Sequence, residues 1–162
     1  MNLYNKIIIF LKKNYYILLF LIISISDFSS KQFIINNFSL HEFKIILPIF
    51  NFFYINNYGS VFGIFSDRKT WQYWFLIISN VIMITVIFNI IYSSIRYYKN
   101  NYLSYIFIIS GAISNLLDRI THGFIVDFID LHIFNWHFAT CNIADISIFI
   151  GSVLLIKCNY FK

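Results

Sequence analysis

Long apolar runs alternate with shorter polar segments along this chain, and their spacing predicts its elements. Four runs, at about 15–34, 71–92, 102–117 and 141–156, stand against the roughly 20 residues that a membrane-crossing helix needs. The second is the cleanest. The first carries Asp27 and Lys31, the third stops at Asp118-Arg119, and the fourth contains Asp145. Each is expected to be helical, because backbone polar groups in lipid must be satisfied within the segment. Between the first two runs lies HEFKIILPIFNFFYINNYG, with a β-prone stretch, a proline suited to a sheet edge and a turn signal at Asn56-Asn57-Tyr58-Gly59. It predicts a small sheet on the membrane surface. The segment 118–140 holds Trp136, His137 and Phe138, an interfacial aromatic cluster. There is no internal repeat, linker or phosphate-cradling glycine loop.

Composition sharpens this picture. Only 12% of the 162 residues are charged, against about 25% in soluble domains, and 59% are hydrophobic. That fits a membrane protein of one domain over 1–162. Charge positions then set the orientation. Lys6, Lys12 and Lys13 precede the first run, Arg96 and Lys99 lie between the second and third, and Lys157 and Lys162 follow the fourth. In a four-span arrangement these share one side, and no acid falls there. Asp27, Glu42, Asp67, Asp118, Asp127, Asp130 and Asp145 fall in the other half. Both termini are therefore expected to be cytoplasmic, and the net charge of +5 calls for no nucleic acid. An alternative is that the first 26 residues are a secretory signal, with a basic start, an apolar run and small serines. Its removal would leave three spans and spoil the charge pattern. Cys141 and Cys158 fit neither a disulfide framework nor a metal knuckle and read as small apolar fillers.

Ionised groups in such a chain are kept where something uses them. Asp127 and Asp145 are the sharpest pair. They lie near the facing ends of the third and fourth spans, so they can meet close to one membrane surface. Two neighbouring carboxylates share a proton, and such a pair can activate water with one member and protonate a leaving amine with the other. The alternative is two separate carboxylates, each hydrogen-bonded or solvated. Asp118-Arg119 reads as an interface-anchoring ion pair, with Asn115 one helical turn before Arg119 on the same face. Asn57 and Gly59 read first as a turn. Asp27 and Lys31 are four apart and read as an intramembrane salt bridge. His122, His132 and His137 lie near acids, but there is no H-E-x-x-H, and no metal or cofactor is called for. Asp130, His132 and His137 read as interface residues facing water or headgroups.

Together these residues resemble lipoprotein signal peptidase, the bacterial signal peptidase II family. The resemblance runs from about residue 27 to 156. Asp27-Phe-Ser-Ser-Lys31 is similar to the family's D-x-x-S-K, and Asn57-Tyr-Gly59-Ser60-Val61-Phe62 to its N-x-G-x-x-F. Gly111-Ala112-Ile-Ser-Asn115-Leu-Leu-Asp118-Arg119 resembles G-A-x-x-N-x-x-D-R. Val126-Asp127-Phe128 matches V-D-F with the first catalytic aspartate, and Asn142-Ile-Ala144-Asp145 matches N-x-A-D with the second. Departures are Ser60 and Val61 where alanine is usual at one or both places, Cys141 for phenylalanine, and Asn56 where arginine is common.

The resemblance implies an all-α membrane protein: four transmembrane helices, a small extracytoplasmic β-cradle over about 35–65 and a short outer helix within about 118–140. It implies an aspartic endopeptidase of the bacterial cytoplasmic membrane with its active site near the outer surface. The substrates would be prolipoproteins carrying diacylglyceryl-cysteine, cut just before that cysteine, with the lipid chains lying between helices. Asp127 and Asp145 would be catalytic. Asn115 and Asn142 would orient the dyad or the scissile carbonyl, and Asn57 and Gly59 would grip the substrate backbone. Asp118 and Arg119 would brace the helix end, and Ala144 would belong to the same support. Asp27 and Lys31 would be structural. The enzyme would work as a monomer among membrane lipids, without cofactor. The rival classes are a channel or transporter, which would want acids at several depths, a structural membrane subunit, and an inactive member of the family.

Overall fold

The computed structural model describes residues 3–59, 70–97 and 102–160. Ser60, Val61, Phe62 and Asp67, and the end of the expected cradle, lie outside the described residues. Four helices follow the four apolar runs: α1 (Leu3–Asn37), α2 (Thr70–Tyr97), α3 (Tyr102–His122) and α4 (Ile143–Tyr160). Within the described residues, Asn14–Asn37 and Tyr102–His122 are long and apolar enough to cross a membrane, and Ile77–Asn89 in α2 is apolar but shorter. The outer faces carry exposed Leu18, Ile25, Phe28, Phe88 and Phe149. The buried face of α3 carries Tyr105 and Ile108 but is otherwise small or polar, with Ser104, Ser110, Gly111, Ala112, Ser114, Asn115 and Asp118. A bundle apolar outside and largely small or polar inside suits lipid, where close packing and interhelical hydrogen bonds hold helices together.

Contacts along the helices set their directions. The ring of Tyr16 lies 5.8 Å from that of Tyr102, while Lys31 meets Asn115, so α1 and α3 run parallel. A side chain at Gly111 would face the start of α4, and one at Gly151 would meet Ser104 and Ile108, so α3 and α4 run antiparallel. A Cβ on Gly111 would sit 2.3 Å from the Ala144 carbonyl oxygen. Only glycine lets α3 come this near the first turn of α4.

The segments joining the helices at one end form a four-stranded antiparallel sheet ordered β1 (Phe43–Leu47), β2 (Phe50–Asn57), β3 (Ile125–Ile133), β4 (Trp136–His137). β1 and β2 are joined across Pro48-Ile49, and β3 and β4 across Phe134-Asn135. Buried Ile34, Tyr54, Val126, Phe128 and Ile129 form a core that seats the sheet on the end of α1. The small sheet expected beside the helices is present, but it extends beyond 35–65, since half its strands come from the second outer segment. The short outer helix expected within 118–140 is not found there; β3 and β4 occupy that segment. α3 continues to His122, where Gly123 (φ 80°) donates its N–H to the Arg119 carbonyl at 3.0 Å and ends it. The following IVDFIDLHI is rich in β-branched and aromatic residues and finds an open edge on β2.

Gly111→Ala is expected to force α3 and α4 apart, a strain of about 1–3 kcal/mol, and to lower the thermal unfolding midpoint in detergent. An unchanged midpoint would show that this close approach does not hold the bundle.

Candidate active site

Four elements bring the polar residues of the chain to one place under the sheet. Asp127 sits on β3 and is 1% exposed, while Asp145 lies in the first turn of α4 and is half-buried. Asn142 stands between them and serves both. It precedes α4 as its cap: its Oδ1 accepts the Asp145 N–H at 2.9 Å, and its own N–H donates to Asp145 Oδ2 at 3.3 Å. This is a reciprocal capping box with aspartate in the usual glutamate place. The Asn142 amide then donates from Nδ2 to Asp127 Oδ1 at 2.7 Å.

Asn115 of α3 donates from Nδ2 to Asp145 Oδ1 at 2.8 Å. Asn57, at the end of β2, donates from Nδ2 to Asp127 Oδ2 at 2.8 Å. Each of the four carboxylate oxygens thus accepts one hydrogen bond, and three asparagines supply them all. Asn57 is both a turn residue and a donor to Asp127. Its Oδ1 accepts the Gly59 N–H at 2.8 Å, with Gly59 at φ 76°, and this turn aims Nδ2 at Asp127.

Behind the carboxylates lies a buried charge cluster. Lys31 Nζ is 2.6 Å from Asp27 Oδ2, 2.7 Å from Asp118 Oδ2 and 3.1 Å from Asn115 Oδ1. The Asp27–Lys31 pair is present, but it does more than hold one helix. Asp27 Oδ1 accepts the Ala144 N–H at 2.8 Å, placing a carboxylate against the positive end of the α4 dipole. Ala144, fully buried, is small enough to allow that contact. Asp118 pairs with Lys31 rather than with its neighbour Arg119. Arg119 lies in the field of Asp145, Asp127 and Asp118, and its buried Nε has no hydrogen-bond partner among the described residues.

Burial pushes the Asp127 carboxyl up to about 7, and the charge of Asp145 adds to this; hydrogen bonds from Asn57 and Asn142 and the charge of Lys31 oppose it. The arrangement can hold a proton on one carboxyl beside a second, more open carboxylate. No group of three or more metal-ligating side chains occurs among the described residues. Cys141, a departure from the resembled pattern, is tied through its backbone to Ile129 in both directions.

One polar cluster escaped the sequence reading. Asp130 does not face water: it is 3% exposed, accepting from Asn51 Nδ2 at 3.1 Å and meeting His137 Nδ1 at 2.9 Å. His137 remains exposed, as expected. The signal available was Asn51, a lone polar residue within an aromatic strand.

Among the described residues two helices are of membrane-spanning length and a small sheet lies at one end, and the comparisons with known proteins agree with a membrane enzyme. A family model described as signal peptidase (SPase) II matches residues 19–161. The lipoprotein signal peptidase of Buchnera aphidicola subsp. Schizaphis graminum is 46% identical over 156 residues, covering 94% of this chain and 99% of that protein. The lipoprotein signal peptidase of Serratia proteamaculans is 41% identical over 138 residues, covering 85% and 82%. A bacterial membrane enzyme solved by the in meso method at 1.9 Å superposes with a TM-score of 0.75 at 28% identity, covering 88% of this chain and 90% of that one. The chain belongs to the signal peptidase II family.

The raised Asp127 pKa carries a sign. A carboxyl whose folded pKa lies above its unfolded value of 3.8 adds stability below that value and loses it as pH rises through about 7. Wild type should therefore lose stability between pH 4 and pH 8 relative to Asp127→Asn. Parallel pH profiles of thermal unfolding for the two proteins would contradict the raised value.

Proposed function

We propose that this protein is an aspartic endopeptidase, a single integral membrane domain over 1–162, that removes signal peptides from diacylglyceryl-modified prolipoproteins by cutting before the lipidated cysteine. The family, whose members include proteins named lipoprotein signal peptidase, supports the substrate class. The observation that carries the mechanism is the set of three asparagines holding Asp127 and Asp145. Side-chain amides donate to three of the four carboxylate oxygens and the Asn142 backbone N–H to the fourth, which leaves the pair oriented as acid–base hydrolysis requires.

In this reading Asp145, the more open carboxylate, takes one proton from a water. The remaining hydroxide bonds to the scissile carbonyl carbon. As the C–N bond breaks, the proton held on Asp127 passes to the departing nitrogen. The proton gained by Asp145 then returns to Asp127, and the pair is restored with no metal or cofactor. Asn57 and Gly59 grip the substrate backbone as well as positioning Asp127. Asn115, Asn142 and Ala144 orient the dyad, Asp118 anchors Lys31, and Arg119 tempers the negative field. Asp27 and Lys31 are structural. The exposed apolar faces of the helices favour four spans in the bacterial cytoplasmic membrane, with both termini cytoplasmic, the site near the outer surface and the lipid chains of the substrate between helices. The protein acts as a monomer.

The test is a cleavage assay in detergent on one prolipoprotein, with and without diacylglycerol on its cysteine. Wild type should cut only the lipidated form and ignore chelator. Asp127→Asn and Asp145→Asn should each lose about 10²–10⁴-fold in kcat, the usual worth of a positioned acid or base. Cleavage by both variants at the wild-type rate would refute the dyad, and loss with chelator would point to a metal.

A further inference from the structure

β2 and β3 do not pair in one uniform register. Phe50, Asn51 and Phe52 face Leu131, Asp130 and Ile129, but Ile55, Asn56 and Asn57 face Asp127, Val126 and Ile125. From Phe52 to Ile55 β2 advances three residues while β3 advances two, so β2 carries one extra residue there. Because of it Asn57, rather than Asn56, lies across from Ile125, diagonal to Asp127 and on its face. If the irregularity closed, Asn56 would take that place and Asn57 would turn away. Such an extra residue re-aims the side chains beyond it, and a register slips where side-chain contacts do not specify it.

The pin on the far side is Asp130. Its carboxylate is 4% exposed and lies directly opposite Asn51. It accepts the Asn51 amide at 3.1 Å and holds His137 Nδ1 at 2.9 Å. His137 stacks on His132, its partner across the β3–β4 hairpin, with ring centroids 5.1 Å apart. One buried carboxylate therefore links β2, β3 and β4 just before the irregular step.

We propose that Asp130 is a positioning residue: joined to Asn51 and His137, it locks β3 against β2 so that Asn57 falls on Asp127. The inference rests on the aspartic peptidase reading for its kinetic consequence, but not for its structural one.

Asp130→Ala and the reciprocal exchange Asn51→Asp with Asp130→Asn are compared with wild type in detergent. The readouts are kcat and KM on the lipidated prolipoprotein, and the titration of Asp127 followed by 13C carboxyl NMR. Asp145, Lys31 and Arg119, the charged groups around Asp127, are the same in every variant. In Asp130→Ala, Asn57 leaves Asp127, so the Asp127 midpoint should rise. kcat should fall about tenfold, the kinetic equivalent of one lost hydrogen bond to a charged group, with KM little changed. The exchange restores a donor–acceptor pair at the same register position and should bring both readouts back. If Asp130→Ala does not fold, Asn51→Ala, which unpins β2 and leaves Asp130 on His137, should give the same two shifts. An unmoved Asp127 titration in the single variants overturns the proposal, whatever happens to activity. A moved titration that the exchange fails to restore overturns the register lock. Should wild type cleave nothing, the peptidase reading falls, and the titration alone still decides the role of Asp130.

Discussion

The hydrogen bond from Asn142 Nδ2 to Asp127 Oδ1, at 2.7 Å, joins the two carboxylate-bearing pieces of structure at the site itself, beside the backbone bonds that tie Cys141 to β3. On one side is α4, whose first turn carries Asp145. On the other is β3, whose register carries Asp127. Two carboxylates in a place with little water repel each other. Asn142 opposes this because its other two polar groups are committed to the capping box with Asp145. The amide cannot turn from Asp127 without uncapping the helix. Helix initiation and dyad geometry are thus one constraint, and the preference for asparagine at a cap coincides with the need for a donor at the site.

The same economy governs the buried ions. Lys31 is surrounded by Asp27, Asp118 and the Asn115 carbonyl oxygen. A lone ammonium at this depth would be expelled or neutralised. Flanked by two carboxylates and hydrogen-bonded to a third group, it is held, and it fixes which way Asn115 points. Because Asn115 Oδ1 is taken by Lys31, Nδ2 is left for Asp145. Asp27 completes the circuit by accepting the Ala144 N–H of α4. Gly111 makes the circuit possible, since α3 must lie against the α4 backbone for Asn115 to reach Asp145. Close packing and charge placement therefore depend on each other at these points.

Much of this was legible in the sequence because it is local. Apolar runs at 15–34, 71–92, 102–117 and 141–156 lie within the observed helices, apart from the cap residues Cys141 and Asn142. The i, i+4 spacing of Asp27 and Lys31 announced their pairing, and Asn57-Tyr58-Gly59 announced its turn. What failed was long-range. Nothing local tells that Lys31 rather than Arg119 is the partner of Asp118, because those residues lie on different helices. The strand at Ile125–Ile133 was missed because its apolar run is as short as a helical turn or two, and only the open edge of β2, some seventy residues away, decides between the forms. Asp130 looked like a surface acid for the same reason. Its burial follows from Asn51 and His137, which arrive from other strands.

Unequal burial of the two carboxyls bears most directly on the chemistry. A symmetric pair would share its proton evenly and leave acid and base undefined. Here Asp127 is enclosed by the sheet and Asp145 opens toward the helix end, so burial alone favours the proton on Asp127. The amides of Asn57 and Asn142 push the other way, because a hydrogen bond given to a carboxylate favours its ionised form. The balance leaves the Asp127 carboxyl at about 7. In the proposed mechanism that lets it both give up and regain a proton within one cycle: more burial would hold the proton too firmly for a departing nitrogen, and more donors would strip it before substrate arrived. The sheet over Asp127 thus sets the proton affinity of its carboxyl as well as the place of its side chain, and on the proposed mechanism the register of β2 on β3 belongs to the chemistry as much as to the fold.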